Sequence, residues 1–224
     1  MRTFKASLLS LGLVAAVSSS LAAQQVGFDD VTSASFGFLS NGYQGFNWSN
    51  AYVMDGVSWF GSAAAAGGYS AGLKSGKYVM SNGGAQALAI SSVSSFNLLS
   101  GYFAAGWTNG LTVTAIGYQG ANTLYNKSFV VNWNASSLVN LDMYGIDRVV
   151  FTNSGGTVDG RFNAGSNQSF VVDNMTFSQG EQAPVELPSV APQSVVPEPM
   201  TLGLVGFGLL AVAGLKTRRK SVTA

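Results

Sequence analysis

The sequence predicts an all-β protein, an antiparallel β-sandwich of jelly-roll-like character, and three observations carry that expectation. Short runs rich in Val, Phe, Thr and Tyr alternate apolar with polar side chains. Clusters of Gly, Asn and Ser interrupt these runs at intervals of roughly ten residues, the spacing of sandwich strands. No amphipathic helix is legible in the domain: Ala63 to Ala66 favours helix, but Gly61, Gly67 and Gly68 bracket it too closely for more than a turn.

The elements follow in chain order. KYVMSNGG (77–84) and QALAISS (86–92) each read as a strand. GLTVTAIGY (110–118) sets Leu111, Val113 and Ala115 against Thr112, Thr114 and Ile116, which places the two sets on opposite faces. TLYNKSFVVNW (123–133) follows across a Gln119-Gly120 turn, so the two runs read as a hairpin. DRVVFTN (147–153), closed by Ser154-Gly155-Gly156, and SFVVDNMTF (169–177) supply further strands. The first and last strands of such a fold often lie side by side.

Composition removes whole classes of chemistry. The 224 residues include no Cys and no His, and only 9% are charged. Without imidazole or thiol there is no Ser-His-Asp or Cys-His nucleophile and no usual zinc ligand, so an enzyme is not expected. Stability outside the cell must come without disulfides. From Gln24 to Val196 five basic residues face nine acidic ones, a balance of −4. That part lacks the basic footprint that nucleic-acid binding requires.

The two ends read as export machinery. Residues 1–23 place Arg2 and Lys5 ahead of an apolar stretch from Ala6 to Val17 and then small residues up to Ala23, the plan of a cleaved signal peptide. Residues 24–179 form the sandwich domain, and 180–196 a Pro-rich linker that acts as an extended tether. Pro197-Glu198-Pro199 precedes an uncharged run, 200–215, that reads as a short transmembrane helix, and Lys216, Arg218, Arg219 and Lys220 mark its cytoplasmic end.

This order of motif, span and basic end over residues 197–220 resembles the PEP-CTERM sorting signal of Gram-negative bacteria. The resemblance implies that an exosortase recognises Pro197, Glu198 and Pro199 and removes the tail. The protein is then held briefly at the inner membrane and passed to the cell surface or extracellular matrix, among exopolysaccharide. The domain is similar to sandwich domains of such proteins in Phe28-Asp29-Asp30, Tyr43 to Trp48, Leu111 to Tyr118 with Gly117 to Gly120, Asp147 to Phe151, and Val172 to Phe177. Fold likeness of this kind implies architecture and not activity.

Two roles follow for the domain: a structural or adhesive matrix component, or a carbohydrate-binding module. Flat aromatic rings stack on sugars, and Trp107 in GWTNG, Trp59 and Tyr43 are the candidate contacts. The module reading requires two or more Trp or Tyr side chains exposed and coplanar on one surface. Asp29, Asp30 and Asp173 would meet if the terminal strands are neighbours. Their oxygens suit a calcium ion, the one cofactor considered, but they equally suit the capping of turns.

Overall fold

Alternation of apolar and polar residues becomes alternation of inward and outward side chains in a computed structural model that describes residues 22–162 and 168–179. The part of the expected signal peptide up to residue 21, the expected linker 180–196 and the expected sorting signal 197–220 lie outside the described residues. Among the described residues, no helix is long and apolar enough to cross a membrane.

The strands in chain order are β1 (Gln24–Val26), β2 (Phe36–Phe38), β3 (Asn47–Ser49), β4 (Ala51–Asp55), β5 (Tyr78–Asn82), β6 (Leu88–Ala105) and β7 (Thr108–Asn109). They continue as β8 (Leu111–Gln119), β9 (Asn122–Val131), β10 (Ser137–Ser154), β11 (Thr157–Val158) and β12 (Phe170–Gln179). Two four-residue helices, α1 (Ala63–Ala66) and α2 (Gly68–Ala71), lie between β4 and β5. Every strand pair is antiparallel.

The main sheet runs in the order β2-β4-β5-β12-β6-β10-β8-β9, with β1 on β12 and β3 on β6. The two long strands bend, and the bends make layers. β6 leaves its register with β10 between Ser91 and Phe96, and β10 bulges between Asn140 and Arg148, where Asp142 and Gly145 take positive φ of 44° and 65°. The early half of β6 and late half of β10 therefore stand with β3, β8 and β9. Their other halves stand with β12, β5, β4 and β2. Rings from strands that are not neighbours meet across the gap: Phe103 of β6 lies 4.9 Å from Phe129 of β9, and Trp48 of β3 lies 6.4 Å from Phe177 of β12. One hydrophobic cluster fills this space, with Leu98, Phe103, Leu111, Val113, Leu141 and Phe151 at its centre.

The β8–β9 hairpin has the register its alternation demands, from Leu111 opposite Val131 to Gln119 opposite Asn122. β1 lies on β12, with Val26 opposite Met175, so the first and last strands are neighbours. The Ala63 quartet forms a single turn, as the flanking glycines require. Gly68 has a separate steric role, since a Cβ there would stand 1.6 Å from the Ala105 carbonyl oxygen. Its absence lets α2 touch the end of β6, where the Gly68 N–H donates to Gly106 O at 2.7 Å.

A second, smaller cluster forms on the outer face of β4, β5, β12 and β6. Met54, Val79, Val171 and Ala104 contribute from successive strands, and Ala66 and Tyr69 cover them from α1 and α2. All described residues fall in one compact unit. Both clusters are complete within it, so residues 24–179 carry the core needed to fold alone.

Candidate functional site

The second cluster does not close completely, and its open margin is aromatic. In β2, Phe36 and Phe38 are two apart and share a face. They stand opposite Met54 and Tyr52 of β4, and Tyr52 in turn stands opposite Ser81 of β5. A single 3-10 turn, Ser58–Phe60, delivers Trp59 to the same margin. The four rings are contiguous. Phe38 and Tyr52 have centroids 4.8 Å apart, Tyr52 and Phe36 5.5 Å, and Phe36 and Trp59 5.2 Å in a stacked pair with 30° between planes.

Two of these rings face water: Phe38 is 64% exposed and Trp59 50%. Natural domains rarely leave such rings together without use. Behind them a cleft of about 250 Å³ is lined by Phe36, Tyr52, Phe60, Tyr69 and Trp107, with Ser81, Asn82 and Ser169 at its polar side. The floor rests against Gly83, where a Cβ would stand 1.6 Å from the Tyr52 ring. Only glycine leaves Tyr52 room to lie flat there.

The Trp59 turn is held electrostatically. Asp55 Oδ1 accepts the N–H of Ser58 at 2.7 Å and of Val57 at 3.1 Å, while its other oxygen faces Lys77 Nζ at 3.5 Å. Burial alone would raise this carboxyl. The N–H donors, the Ser58 hydroxyl and Lys77 outweigh it and hold the group at about 2. The cleft's inner wall is fixed by hydrogen bonds. Tyr69, pushed up by burial, pairs its hydroxyl with Ser81 and Ser169.

The three aromatics expected from sequence separate. Trp59 alone of the three is exposed at the site, so the expected pair of exposed Trp or Tyr rings is not formed and its exposed companion is Phe38. Trp107 lines the inner wall, packed on Phe60 at 5.4 Å and Tyr69 at 5.3 Å, with its indole N–H donated to Ala65 O at 3.1 Å. Tyr43 is elsewhere: its ring packs on Phe28 and Trp48, and its hydroxyl donates to Asp30 at 2.6 Å. Burial and then that hydrogen bond raise its hydroxyl well above the usual tyrosine value. Trp133 is also occupied, with the Arg161 guanidinium 4.1 Å over its ring and its N–H on Asp159.

The carboxylates bind donors from the chain. Asp29 Oδ1 accepts from Lys77 N at 2.8 Å and Tyr78 N at 3.1 Å, and Asp173 Oδ2 accepts from Lys74 N at 2.7 Å and Ser75 N at 3.0 Å. The Ser75 hydroxyl links the two sides, 2.7 Å from Asn174 Oδ1 and 3.5 Å from Asp29 Oδ2. Asp30 faces Tyr43. Among the described residues no group of three or more acidic side chains is gathered closely enough to hold a metal ion. Burial raises Asp173, against the N–H groups that lower it. These residues tie β12 and the segment after β1 to the 74–78 loop, the capping role their type allows.

Phe36, Phe38 and Tyr52 were not legible as site residues. Their signal is the alternation in FGF and AYVMD, which marks strands but does not say which face stays wet.

No family model and no curated protein matches this chain. Among solved structures it is similar to TmCBM61, a structure in complex with β-1,4-galactotriose, at 10% identity and a TM-score of 0.34 over 63% of this chain and 97% of that one. It is also similar to the CBM22-1-CBM22-2 tandem domain of Paenibacillus barcinonensis Xyn10C, at 12% identity and a TM-score of 0.40 over 76% of this chain and 49% of that one. A Family 16 Carbohydrate Binding Module-2 aligns at 12% identity and a TM-score of 0.29, over 48% of this chain and 81% of that one. Similarity this distant transfers no ligand, so function rests on the cleft.

Proposed function

We propose that the domain is a glycan-binding module that acts outside the inner membrane, where a PEP-CTERM signal delivers it to an exopolysaccharide matrix. One observation carries the binding role: Trp59 and Phe38 are exposed rings on one surface, both packed against Phe36 and backed by a cleft. A pyranose ring has an apolar C–H face of matching flatness, and stacking removes both surfaces from water. The rings are held before any ligand arrives, by Asp55 beneath the Trp59 turn and Gly83 beneath Tyr52. Little ordering entropy is then lost on binding. Among the described residues the lining offers rings, an amide and hydroxyls, groups suited to holding a sugar.

The export half of the proposal rests on the sequence of the tail: Pro197-Glu198-Pro199, the uncharged run 200–215 and the basic residues 216–220. An exosortase would be the processing partner, and adhesion within the matrix the biological outcome.

The test is co-sedimentation of residues 24–179 with a panel of insoluble polysaccharides, alongside a Phe38→Ala/Trp59→Ala double variant. The wild-type domain should sediment with at least one polymer and the variant should stay in solution. Equal sedimentation of both, or retention by no polymer, would overturn the binding role and leave a matrix protein without a glycan contact at this cleft.

A further inference from the structure

We infer that this cleft accepts uncharged glycan chains and rejects uronate or sulfate-bearing ones, a reading that rests on the glycan-binding proposal above. Among the described residues, no Asp, Glu, Lys or Arg lines it. Its amide and serine side chains are also committed. Both amide hydrogens of Asn82 are donated, to Gln86 O and to Asn153 Oδ1, each at 2.8 Å, and its Oδ1 receives the Phe170 N–H at 2.8 Å. Ser81 donates to Phe170 O at 2.8 Å. The Tyr69 hydroxyl is bonded to Ser81 and to Ser169.

The cations on adjoining segments are engaged as well. Lys77 faces Asp55 at 3.5 Å and lies 4.9 Å over the Tyr78 ring. Arg161 is paired with Asp159 at 2.8 Å and covers Trp133. An anionic sugar pressed against Trp59 would lose part of its hydration and find no cation in return among the described lining residues, only neutral donors such as the Trp59 indole N–H. Uncompensated desolvation of a charge opposes binding strongly.

A neutral sugar has no such conflict. It can lay its C–H face on Trp59 and Phe38 while its hydroxyl groups stay in water. The interaction is then dispersion and surface burial, which salt does not screen. The cleft thus selects by what it lacks.

Affinity electrophoresis in native gels tests this, with residues 24–179 run through soluble neutral polymers and anionic ones. Hydroxyethylcellulose and carboxymethylcellulose isolate charge on one backbone, with xyloglucan, galactomannan, starch, alginate and polygalacturonate extending the panel. The expected result is retardation by at least one neutral polymer and by none of the anionic ones. Trp59→Ala should weaken retention about tenfold, and added sodium chloride should leave it unchanged, with circular dichroism confirming that the variant is folded. Retardation by an anionic polymer, or loss of retention in salt, would overturn the charge selection while the glycan-binding role stands. Undiminished retention of Trp59→Ala would move the binding away from this cleft and overturn the inference. Passage through every gel without retardation would overturn the glycan-binding role itself, and this inference with it.

Discussion

Replacing Asp55 by Asn should destabilise the domain by about 2 kcal/mol at neutral pH and by far less in acid. The magnitude follows from the site. Burial alone would raise the Asp55 carboxyl, yet the Ser58 and Val57 N–H groups, the Ser58 hydroxyl and Lys77 bring it to about 2. That is roughly two units below an ordinary aspartate, and each unit is about 1.4 kcal/mol of preference for the charged form. Asparagine retains one acceptor, so the loss is somewhat less than the full product.

The sign is set by the direction of the shift. A carboxyl depressed in the folded state stabilises fully above its unfolded value near pH 4, and that contribution fades as pH falls through about 2. Thermal melts of the wild-type domain and Asp55→Asn should therefore differ by roughly 4–8 °C at neutral pH. The gap should close for the most part at about pH 2. Every other acidic group is common to both proteins, so the gap isolates Asp55. A gap of the same size at both pH values would refute the account, because the turn would then be held by something other than the charged carboxylate. The variant should also bind glycan more weakly, since the Ser58–Phe60 turn that Asp55 anchors carries Trp59.

Other expectations follow from the same geometry. Gly83→Ala places a Cβ against the Tyr52 ring, so it should cost about 1–3 kcal/mol by overpacking and weaken binding by displacing Tyr52, measured by denaturant unfolding and titration. Trp59→Ala should change stability by no more than about 0.5 kcal/mol, because the ring is half exposed. Covering on the order of 60 Å² of that ring is worth about 1.5 kcal/mol, so affinity should fall about tenfold. Trp107→Ala removes packing against Phe60 and Tyr69 and the bond to Ala65, and should lower stability by about 2–4 kcal/mol in a chemical melt. In an exosortase-positive host, alanines at Pro197, Glu198 and Pro199 should leave the protein in the inner membrane by fractionation, and unchanged export would contradict the sorting reading.

Local chemistry made much of the fold legible and left the site partly hidden. The β8–β9 hairpin could be read directly because Leu111, Val113 and Ala115 alternate with polar residues and a Gly turn fixes the register. The pairing of β1 with β12 was foreseen from fold class. The early halves of β10 and the bends of β6 were not, because residues 137–146 and 92–95 break period at bulges whose positions depend on the opposing layer. Trp59 could be named as a candidate from residue type alone. Phe36, Phe38 and Tyr52 could not, because a strand has two apolar-capable faces and only the helical cover over Met54 and Val79 decides where wet margin begins. Tyr43 shows the converse: its neighbours Phe28, Trp48 and Asp30 make it structural, and none of those contacts follows from spacing.

The four indole N–H groups of the chain provide the most direct test of the central claim. Trp48 donates to Tyr43 O, Trp107 to Ala65 O and Trp133 to Asp159, while Trp59 stands half exposed at the aromatic margin. In a nitrogen–proton correlation spectrum of residues 24–179, a retained neutral oligosaccharide should shift the Trp59 indole most, the Trp107 indole less, and leave Trp48 in place. A titration in which Trp59 stays fixed while the Trp133 signal or the backbone of another face responds would contradict the account, and would put the glycan site away from the Phe36–Phe38–Tyr52–Trp59 cleft.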